Sequence, residues 1–425
     1  MIKANDLRLI NPSISSLTGL RFIAAFLVCL GHSVPKLIPV SNTASWYPPT
    51  LQFATQGMTL FFILSGFVIH YNYSELIKKN YLLGIYNFLI ARFSRLYPLY
   101  FVCLGYDLVK NFGYSTLVTH FRDAILYYLT LTQSWFYIPL GSNALIFQFG
   151  LMPQVSWSIS TEWFFYLIYP LICFSLLYTS KLYSKIIALF FIFSIWIIYI
   201  GLCFFTKVPI NDSAVQTYGM VADMTTNFQD SFFNWLMYFS PYSRINEFLI
   251  GCIIAAIFMQ TSSHKLSHRQ ELFGFAITTA SIISIGFFMF FPFKAYNIWG
   301  LQTLNQYYGF SLATSVIIYS CARYNNIITR LISNPFMLLG GEISYSIYLL
   351  HLPVIEAFSR DAAIVTSLKV GLADGARLMF TLATIFGLSM VSYRIIESPS
   401  RRLFRKWMII RSIKPIGELE NLKTS

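Results

Sequence analysis

Apolar segments of membrane-spanning length follow one another along almost the whole chain, separated by short polar connections. A helix needs about 20 apolar residues to cross a hydrocarbon core of ~30 Å. Eleven segments reach or approach this length, near 17–38, 53–71, 90–109, 122–139, 163–179, 186–206, 244–259, 272–292, 303–321, 335–358 and 376–396. The pattern predicts an all-α polytopic membrane protein rather than a soluble domain with one anchor.

The charges in the connections indicate how the segments are threaded through the membrane. Basic residues collect in the C-terminal tail and around 323–330, 265–269 and 181–185, whereas the connection 207–243 carries three Asp and one Lys. The positive-inside rule then places both termini in the cytoplasm, which requires an even number of spans. We therefore expect about ten transmembrane helices, with the Tyr-, Thr- and Trp-rich segment 122–139 in a re-entrant or interfacial position.

Composition agrees with a polytopic membrane protein. It argues against a nucleic-acid-binding protein and against one built on disulfides or a metal site. Of the 425 residues, 56% are hydrophobic and 11% charged, against about 25% charged in soluble domains. The net charge of +13 comes mostly from basic residues in the short connections, so it does not indicate a nucleic-acid partner. The six Cys are scattered singly, which predicts small buried residues without a disulfide framework or a metal site.

The connections between the spans are too short to form a soluble domain. The chain is therefore divided into a cytoplasmic N-terminal segment 1–16, a membrane domain 17–402 and a cytoplasmic tail 403–425. The first sixteen residues are mostly polar and Arg21 interrupts the apolar segment that follows. That segment is expected to remain a span instead of serving as a cleaved signal.

The first apolar segment contains two residues that are costly inside a membrane, Arg21 and His32. Eleven positions separate them, which is close to three helical turns, so they share one face and lie about 16 Å apart. With Arg21 at the membrane surface, His32 is expected about halfway into the hydrocarbon. A histidine there either packs through a hydrogen bond or takes part in proton transfer.

The second segment contains a small pair, Ser65 and Gly66. Small residues inside a span allow a second helix backbone, or a thin ligand, to approach closely. Ordinary close packing is the simpler explanation of the pair when it is considered by itself.

The third segment opens with two arginines, Arg92 and Arg95, which project from one helix face. They are either topology charges or a pair suited to bidentate capture of phosphate at a cytoplasmic helix mouth. Pro98 is expected to break this helix just inside the membrane and to free carbonyl groups that line a cavity.

Glu162 precedes a fully apolar span and has Trp157 and Tyr166 nearby in sequence. Two interpretations are open. With Ser158 or Ser160 as the helix cap, a glutamate in the first turn suits the positive end of the helix dipole. Alternatively, the carboxylate faces a polar cavity, where it orients an imidazolium or a substrate hydroxyl.

Three further features are explained most simply by structure or topology. Arg244 and Glu247 are three positions apart on one helix and are expected to form an ion pair with each other. A second intramembrane histidine, His351, is expected to make a packing hydrogen bond. The segment 392–402 is rich in arginine and is interpreted as a topology signal.

Taken in order, these segments resemble the acyltransferase-3 family of integral membrane acyltransferases. The matching stretches are Arg21 and His32 with ten residues between them, GMTLFFILSGF at 57–67, Arg92 to Arg95, WSISTEWFFY at 157–166, ISYSIYLLHLP at 343–353 and SYRIIESPSRR at 392–402. Each stretch is a weak signal alone, but six in the family's order form a strong one. The resemblance covers residues 17–402.

The sequence departs from the family pattern at two positions. Thr59 stands where an acidic residue is often found, so no catalytic role is assigned there. Trp163 replaces the second glutamate of its stretch, which leaves Glu162 as the carboxylate there. The chain is expected to be the stand-alone form, without the esterase-like domain that is fused to some members.

The resemblance implies transfer of an acyl group, usually acetyl, from acyl-coenzyme A to a hydroxyl of a glycan. Typical acceptors are O-antigen, capsule, exopolysaccharide and peptidoglycan, and the implied location is a bacterial inner (plasma) membrane. The donor is a co-substrate, so no bound cofactor is expected. The expected partners are acyl-coenzyme A, a glycan or lipid-linked glycan and membrane lipids; the sequence leaves the oligomeric state open.

The same resemblance suggests a division of labour. His32 is expected to act as general base or transient acyl carrier, with Glu162 orienting it or stabilising its charged form. The pantetheine arm is expected to pass the Ser65–Gly66 pair. The phosphates of coenzyme A are assigned to three arginines, Arg92, Arg95 and Arg21. The substrate is assigned to three aromatic residues, Trp157, Tyr166 and His351.

A different class of function also accommodates a basic intramembrane cavity with a buried histidine. A transporter or exporter of glycolipids or small molecules would have such a cavity, although transporters usually show internal repeats, and none is visible in the sequence. Substrate movement without dependence on acyl-coenzyme A would distinguish this alternative from the acyltransferase.

Overall fold

The computed structural model describes residues 14–38, 47–111, 115–147, 153–178, 181–264, 266–290, 310–359 and 372–405. In these ranges the backbone is helical except for loops, short 3-10 turns and one two-stranded hairpin, β1 (Pro139–Leu140) paired with β2 (Asn143–Ala144). The helices are α1 (Ser15–Leu37), α2 (Tyr47–Lys79), α3 (Tyr81–Asn111), α4 (Ser115–Leu129), α5 (Pro153–Tyr178), α6 (Leu182–Phe205), α7 (Lys207–Tyr218), α8 (Phe232–Asn234), α9 (Pro241–Thr261), α10 (His268–Phe290), α11 (Ser311–Arg323), α12 (Ile327–Ile332), α13 (Pro335–Glu342), α14 (Ser344–Phe358), α15 (Leu372–Ser392) and α16 (Ser398–Arg405).

The expected class, an all-α polytopic membrane protein, is confirmed. Among the described residues, eight helices are long and apolar enough to cross a membrane, and α13 with α14 makes a ninth if this bent pair is one span. The expected span at 303–321 lies partly outside the described residues, which contain its second half in α11. The termini 1–13 and 406–425 lie outside them as well.

The segment 122–139 is not a single helix, in agreement with its expected irregularity. Helix α4 ends at Leu129, Leu131 adopts a positive φ of 57°, and the chain then turns towards the hairpin. The side chains of Tyr97 and Tyr100 on α3 donate hydrogen bonds to the carbonyl oxygens of Leu129 and Tyr128. These bonds satisfy carbonyls that the end of a helix leaves without intrahelical partners.

Helix α1 is held against its neighbours by close backbone contacts. A Cβ at Gly57 of α2 would press on the backbone oxygen of Ala24 in α1, and a Cβ at Gly341 of α13 would overlap the Thr18 carbonyl. Helix α14 also packs along α1. We call the side of the bundle at which α1 begins the proximal side, and the side at which it ends the distal side.

Two local expectations were wrong, and one expected span is bent. Helix α5 begins at Pro153, not near 163, so Ser158 and Ser160 are not caps and Glu162 lies in its third turn. Helix α3 continues through Pro98 without a break. The span expected at 335–358 bends by 70° between α13 and α14.

The distal side is covered by irregular chain from two parts of the sequence, 130–147 and 219–240. The Asp230 carboxylate accepts a hydrogen bond from the backbone N–H of Ala144. The backbone carbonyl of Asp230 accepts a hydrogen bond from the hydroxyl of Tyr137. The indole N–H of Trp235 donates to the carbonyl of Ser134. These bonds join the hairpin region to the chain that precedes α9.

The expected pairing of Arg244 with Glu247 is confirmed, with 3.2 Å between Nη1 and Oε1 and no exposure of either side chain. Thr59 donates a hydrogen bond of 2.8 Å to the same carboxylate oxygen. The six cysteines, all within the described residues, are buried and unpaired, as the sequence predicted.

Candidate active site

The two intramembrane histidines contact each other. Nδ1 of His32 on α1 lies 2.8 Å from Nε2 of His351 on α14. The rings are nearly parallel, with centroids 5.0 Å apart and an interplanar angle of 17°. Nδ1 of His351 in turn lies 2.6 Å from the carbonyl oxygen of Tyr348. The packing hydrogen bond expected for His351 is therefore made to His32 itself.

This chain of contacts determines where the protons lie when both rings are neutral. A carbonyl oxygen only accepts, so Nδ1 of His351 carries a proton and donates it to Tyr348. Nε2 of His351 is then an acceptor, and Nδ1–H of His32 donates to it. Nε2 of His32 is left without a proton, which is the state required of a general base or a nucleophile.

His32 lies closer to the distal end of its helix than the sequence suggested. It is residue 18 of the 23 in α1 and precedes Lys36 by one turn. Nζ of Lys36 pairs with Oε2 of Glu356 on α14 at 3.0 Å, and both side chains are partly exposed. The histidine pair therefore lies about one turn beneath the distal mouth between α1 and α14.

Three arginines line a second region, towards the proximal side. Arg21 from α1 and Arg92 and Arg95 from α3 border a narrow cavity together with Ser65 and Glu162. Its volume is about 20 Å³. The arrangement brings together the three arginines that the sequence assigned to phosphate binding.

A larger cavity adjoins the first and reaches Tyr348. The two share Arg95, Glu162 and Phe61 as lining residues. The second has a volume of about 50 Å³ and also borders Ser158 and Tyr348. Since the carbonyl of Tyr348 holds His351, this row of cavities leads from the arginines to the residue that supports the histidine pair.

The arginines differ in their partners. Nη2 of Arg92 donates to the hydroxyl of Tyr73 at 2.9 Å, and its guanidinium lies 5.9 Å from the ring centre of Tyr166. Among the described residues, Arg21 and Arg95 have no hydrogen-bond partner, although both border the cavity. Guanidinium groups in this condition are suited to bind an anion.

Glu162 contacts the cavity instead of the histidine. Its Oε1 accepts a hydrogen bond of 2.7 Å from Oγ of Ser65. The hydrogen-bond partner of His32 is His351, so the structure does not bring Glu162 to the position expected of a group that orients His32. Of the two interpretations of Glu162, the geometry favours the carboxylate that faces a polar cavity.

The assignment of Gly66 to the acyl-coenzyme A site is not supported by its position. A Cβ there would overlap the carbonyl oxygen of Phe248 on α9, and a Cβ at Gly251 would overlap that of Ile63. Gly66 therefore mediates close packing between α2 and α9. Its neighbour Ser65 borders the arginine cavity.

The aromatic residues assigned to the substrate lie in different places. Tyr166 is buried beside Arg92. Trp157 is buried against Phe239, 5.0 Å between ring centres, and Tyr238, 5.3 Å, and it borders neither cavity. His351 belongs to the histidine pair.

Two groups at the site were not predicted from the sequence. Tyr348 borders the larger cavity, and its hydroxyl lies 2.6 Å from that of Ser158. Arg401 and Glu397, interpreted as part of a topology signal, form a pair of 2.7 Å next to the arginines of α3. The spacing of Tyr348 one turn before His351 was a usable signal, whereas nothing local distinguishes Arg401 from its neighbour Arg402.

Comparison with known proteins establishes the class of this protein. The model of the acyltransferase-3 family, an acyltransferase domain, matches residues 14–394. The chain belongs to this family of membrane acyltransferases, and the resemblance inferred from its motifs is confirmed.

Among curated proteins, the chain is similar to the O-acetyltransferase OatA of Staphylococcus aureus strain NCTC 8325 / PS 47, with 27% identity over 355 residues, covering 81% of this chain and 52% of OatA. It is equally similar, at 27% over 365 residues with the same coverage, to the putative O-acetyltransferase SACOL0978 of S. aureus strain COL. The chain spans about half the length of these relatives. No solved structure matches it.

Proposed function

We propose that this protein transfers an acetyl group from acetyl-coenzyme A to a hydroxyl of a cell-surface glycan. The observation that carries the proposal is the row of cavities between the three arginines and Tyr348, the residue whose carbonyl holds His351. An acyl-coenzyme A has anionic phosphates at one end and a thin arm with a thioester at the other. The relatives are named O-acetyltransferases, which favours acetyl as the group transferred.

The donor would lie with its phosphates at Arg21, Arg92 and Arg95 and its arm along the two cavities. Their small free volumes fit an extended chain better than a bulky headgroup. Ser65 and Glu162 would border the arm about where the cavities meet. This arrangement directs the thioester towards Tyr348 and the histidine pair.

At the histidines, the acceptor oxygen attacks the thioester carbonyl carbon while Nε2 of His32 takes the hydroxyl proton. His351 stabilises the resulting imidazolium, because its Nε2 accepts the Nδ1–H of His32. The C–S bond then breaks, and the thiolate of coenzyme A takes the proton from His32. In the alternative route, Nε2 of His32 first carries the acetyl group and then yields it to the hydroxyl.

The charge distribution favours a cytoplasmic proximal side in a bacterial plasma membrane. Lys78 and Lys79 end α2 and Arg401 and Arg402 lie in α16, all on the proximal side, whereas the distal irregular chain carries Asp230. The positive-inside rule places the first group in the cytoplasm. The donor would then enter from the cytoplasm and the glycan would meet His32 from the other face.

The test is acetylation of surface glycan by cells that carry His32→Ala. Mass analysis of the glycans should show loss of the acetyl increment, while the amount of protein in the membrane stays unchanged. His264→Ala is the matched control, because His264 is exposed in the loop after α9 and its loss should have no effect. Normal acetylation with His32→Ala would contradict the proposal.

Dependence on acetyl-coenzyme A distinguishes the acyltransferase from the transporter alternative. Proteoliposomes that hold the purified protein should acetylate a supplied glycan only when acetyl-coenzyme A is present on the proximal side. Movement of glycolipid across the bilayer without acetyl-coenzyme A would instead favour the transporter.

A further inference from the structure

A fourth arginine, Arg401, reaches the region of the arginine cavity from the end of the membrane domain. Helix α16 packs along α3, and the ring centre of Phe404 lies 5.8 Å from that of Phe93. Phe93 stands between Arg92 and Arg95 in the sequence. Since Arg401 and Phe404 are three positions apart, they share one face of α16. The packing therefore turns Arg401 towards the arginines of α3.

The charges agree with this placement. The guanidinium of Arg401 is close enough to repel those of Arg95 and Arg92 and that of Arg21. Four cationic groups thus converge from α1, α3 and α16, and the carboxylates beside them are Glu162 and Glu397. Such an excess of positive charge inside a membrane domain is costly unless an anion binds to it.

Arg401 is held in place by a buried carboxylate. Its Nη2 lies 2.7 Å from Oε2 of Glu397, which is 1% exposed. The other carboxylate oxygen accepts a hydrogen bond from Ser346 of α14. Glu397 ends a π-helical turn, Tyr393–Glu397, a local form that occurs frequently at functional sites.

One N–H group of Arg401 has no hydrogen-bond acceptor among the described residues. Its Nε is buried and has no hydrogen-bond partner among the described residues, and the same is true of Nε of Arg92. A buried donor without an acceptor costs free energy, and more so when it belongs to a charged group. An anionic ligand between α3 and α16 would supply the missing acceptors.

We propose that Arg401 is a further phosphate-binding residue of the donor site and that Glu397 positions it. This inference rests on the proposed function. Coenzyme A carries a diphosphate and a separate phosphate monoester, which is more anionic charge than a single Arg-x-x-Arg pair can match. Arg401 would bind these phosphates together with Arg21, Arg92 and Arg95.

The experiment compares binding of coenzyme A and of dephospho-coenzyme A, which lacks the phosphate monoester, to the full-length protein in nanodiscs. Arg401→Gln should weaken binding of coenzyme A about tenfold or more, as expected for loss of a charged hydrogen bond. Arg402→Gln is the matched control, because Arg402 is exposed on the same helix, and it should bind like the unaltered protein.

The two ligands show which phosphate Arg401 meets. A loss confined to coenzyme A assigns Arg401 to the monoester, and an equal loss for both ligands assigns it to the diphosphate; either result supports the proposal. Unchanged binding by Arg401→Gln, in a preparation whose unaltered protein binds coenzyme A, overturns it. If the unaltered protein binds neither ligand, the proposed function fails and this inference fails with it.

A second variant tests whether the weakened binding could come from loss of folding. Arg401→Gln leaves the Glu397 carboxylate without its cation, so the double variant Glu397→Gln with Arg401→Gln removes both charges together. It should show the same weakened binding with a folded protein. Arg401→Lys keeps the charge without the fork of donors and should give an intermediate affinity.

Discussion

His32 and His351 are 319 positions apart in the chain, yet their Nδ1 and Nε2 atoms lie 2.8 Å apart. The contact joins the helix that begins the membrane domain to one near its end. Because His351 is itself fixed by the carbonyl of Tyr348, it accepts a hydrogen bond from His32 and sets the proton position of that ring. We therefore expect His351 to act as a positioning residue for His32.

His351→Ala should reduce acetylation about 100-fold, since small errors in the position of a catalytic group have effects of this size. His32→Ala should cost roughly 10²–10⁴-fold, as expected for loss of a general base. The rates are measured with purified protein, acetyl-coenzyme A and a glycan acceptor. His351→Gln removes the Nε2 lone pair that accepts the Nδ1–H of His32. A pH profile for this variant that matches the unaltered protein would argue against the positioning role.

The ion pair between Lys36 and Glu356 should matter more for activity than for stability. Both side chains are partly exposed, so Lys36→Glu should change the free energy of unfolding by about 1 kcal/mol or less. The pair nevertheless ties α1 to α14 one turn from the histidines, and repulsion there should lower the acetylation rate. The exchanged variant, Lys36→Glu with Glu356→Lys, should recover most of the rate; failure to recover would show that the pair does not act through its attraction.

Gly66→Ala should destabilise the protein by about 1–3 kcal/mol, because the added Cβ would overlap the Phe248 carbonyl and separate α2 from α9. Thermal unfolding in detergent measures the loss. Gly387→Ala on α15 is the matched control, since a Cβ there meets no atom within 4 Å among the described residues, and it should leave the protein as stable or slightly more so. Equal effects of the two variants would contradict the close packing.

Glu247→Ala should be more damaging than removal of the whole ion pair. It leaves the fully buried Arg244 without its carboxylate, which costs about 3–5 kcal/mol. Replacement of both residues by methionine removes the two charges together and should cost less. The comparison is made by denaturant unfolding in detergent, and a double variant that is less stable than Glu247→Ala would show that the pair itself is a net source of stability.

The class of fold, and the position of most residues around the candidate site, were accessible from the sequence for physical reasons. Apolar length is set by the thickness of the bilayer, so spans are visible without tertiary information. Arg21 and His32 were recognised because polar residues inside a span are costly. Arg92 and Arg95 were placed on one face by helical spacing alone, and both border the same cavity.

The remaining features depend on contacts between distant parts of the chain. No local pattern shows that His351 meets His32 or that Glu162 turns to Ser65, because those pairs come from different helices. The early start of α5 was missed because its first turns are rich in serine, which usually marks a cap. In the structure Ser160 accepts from Ser134 of the distal chain instead.

The glycine contacts around α1 have a consequence for how the protein works. A methyl group added at Gly19, Gly31, Gly57 or Gly341 would press against the backbone of a neighbouring helix. Helix α1 is therefore in direct backbone contact with its neighbours at points between Thr18 and Gly31. A helix seated in this way resists sliding and rotation, whereas alternating access requires one half of a bundle to rock against the other. We expect α1 to stay in place while the acyl group is transferred. Amide hydrogen exchange in α1 should therefore be among the slowest in the protein, with or without the donor.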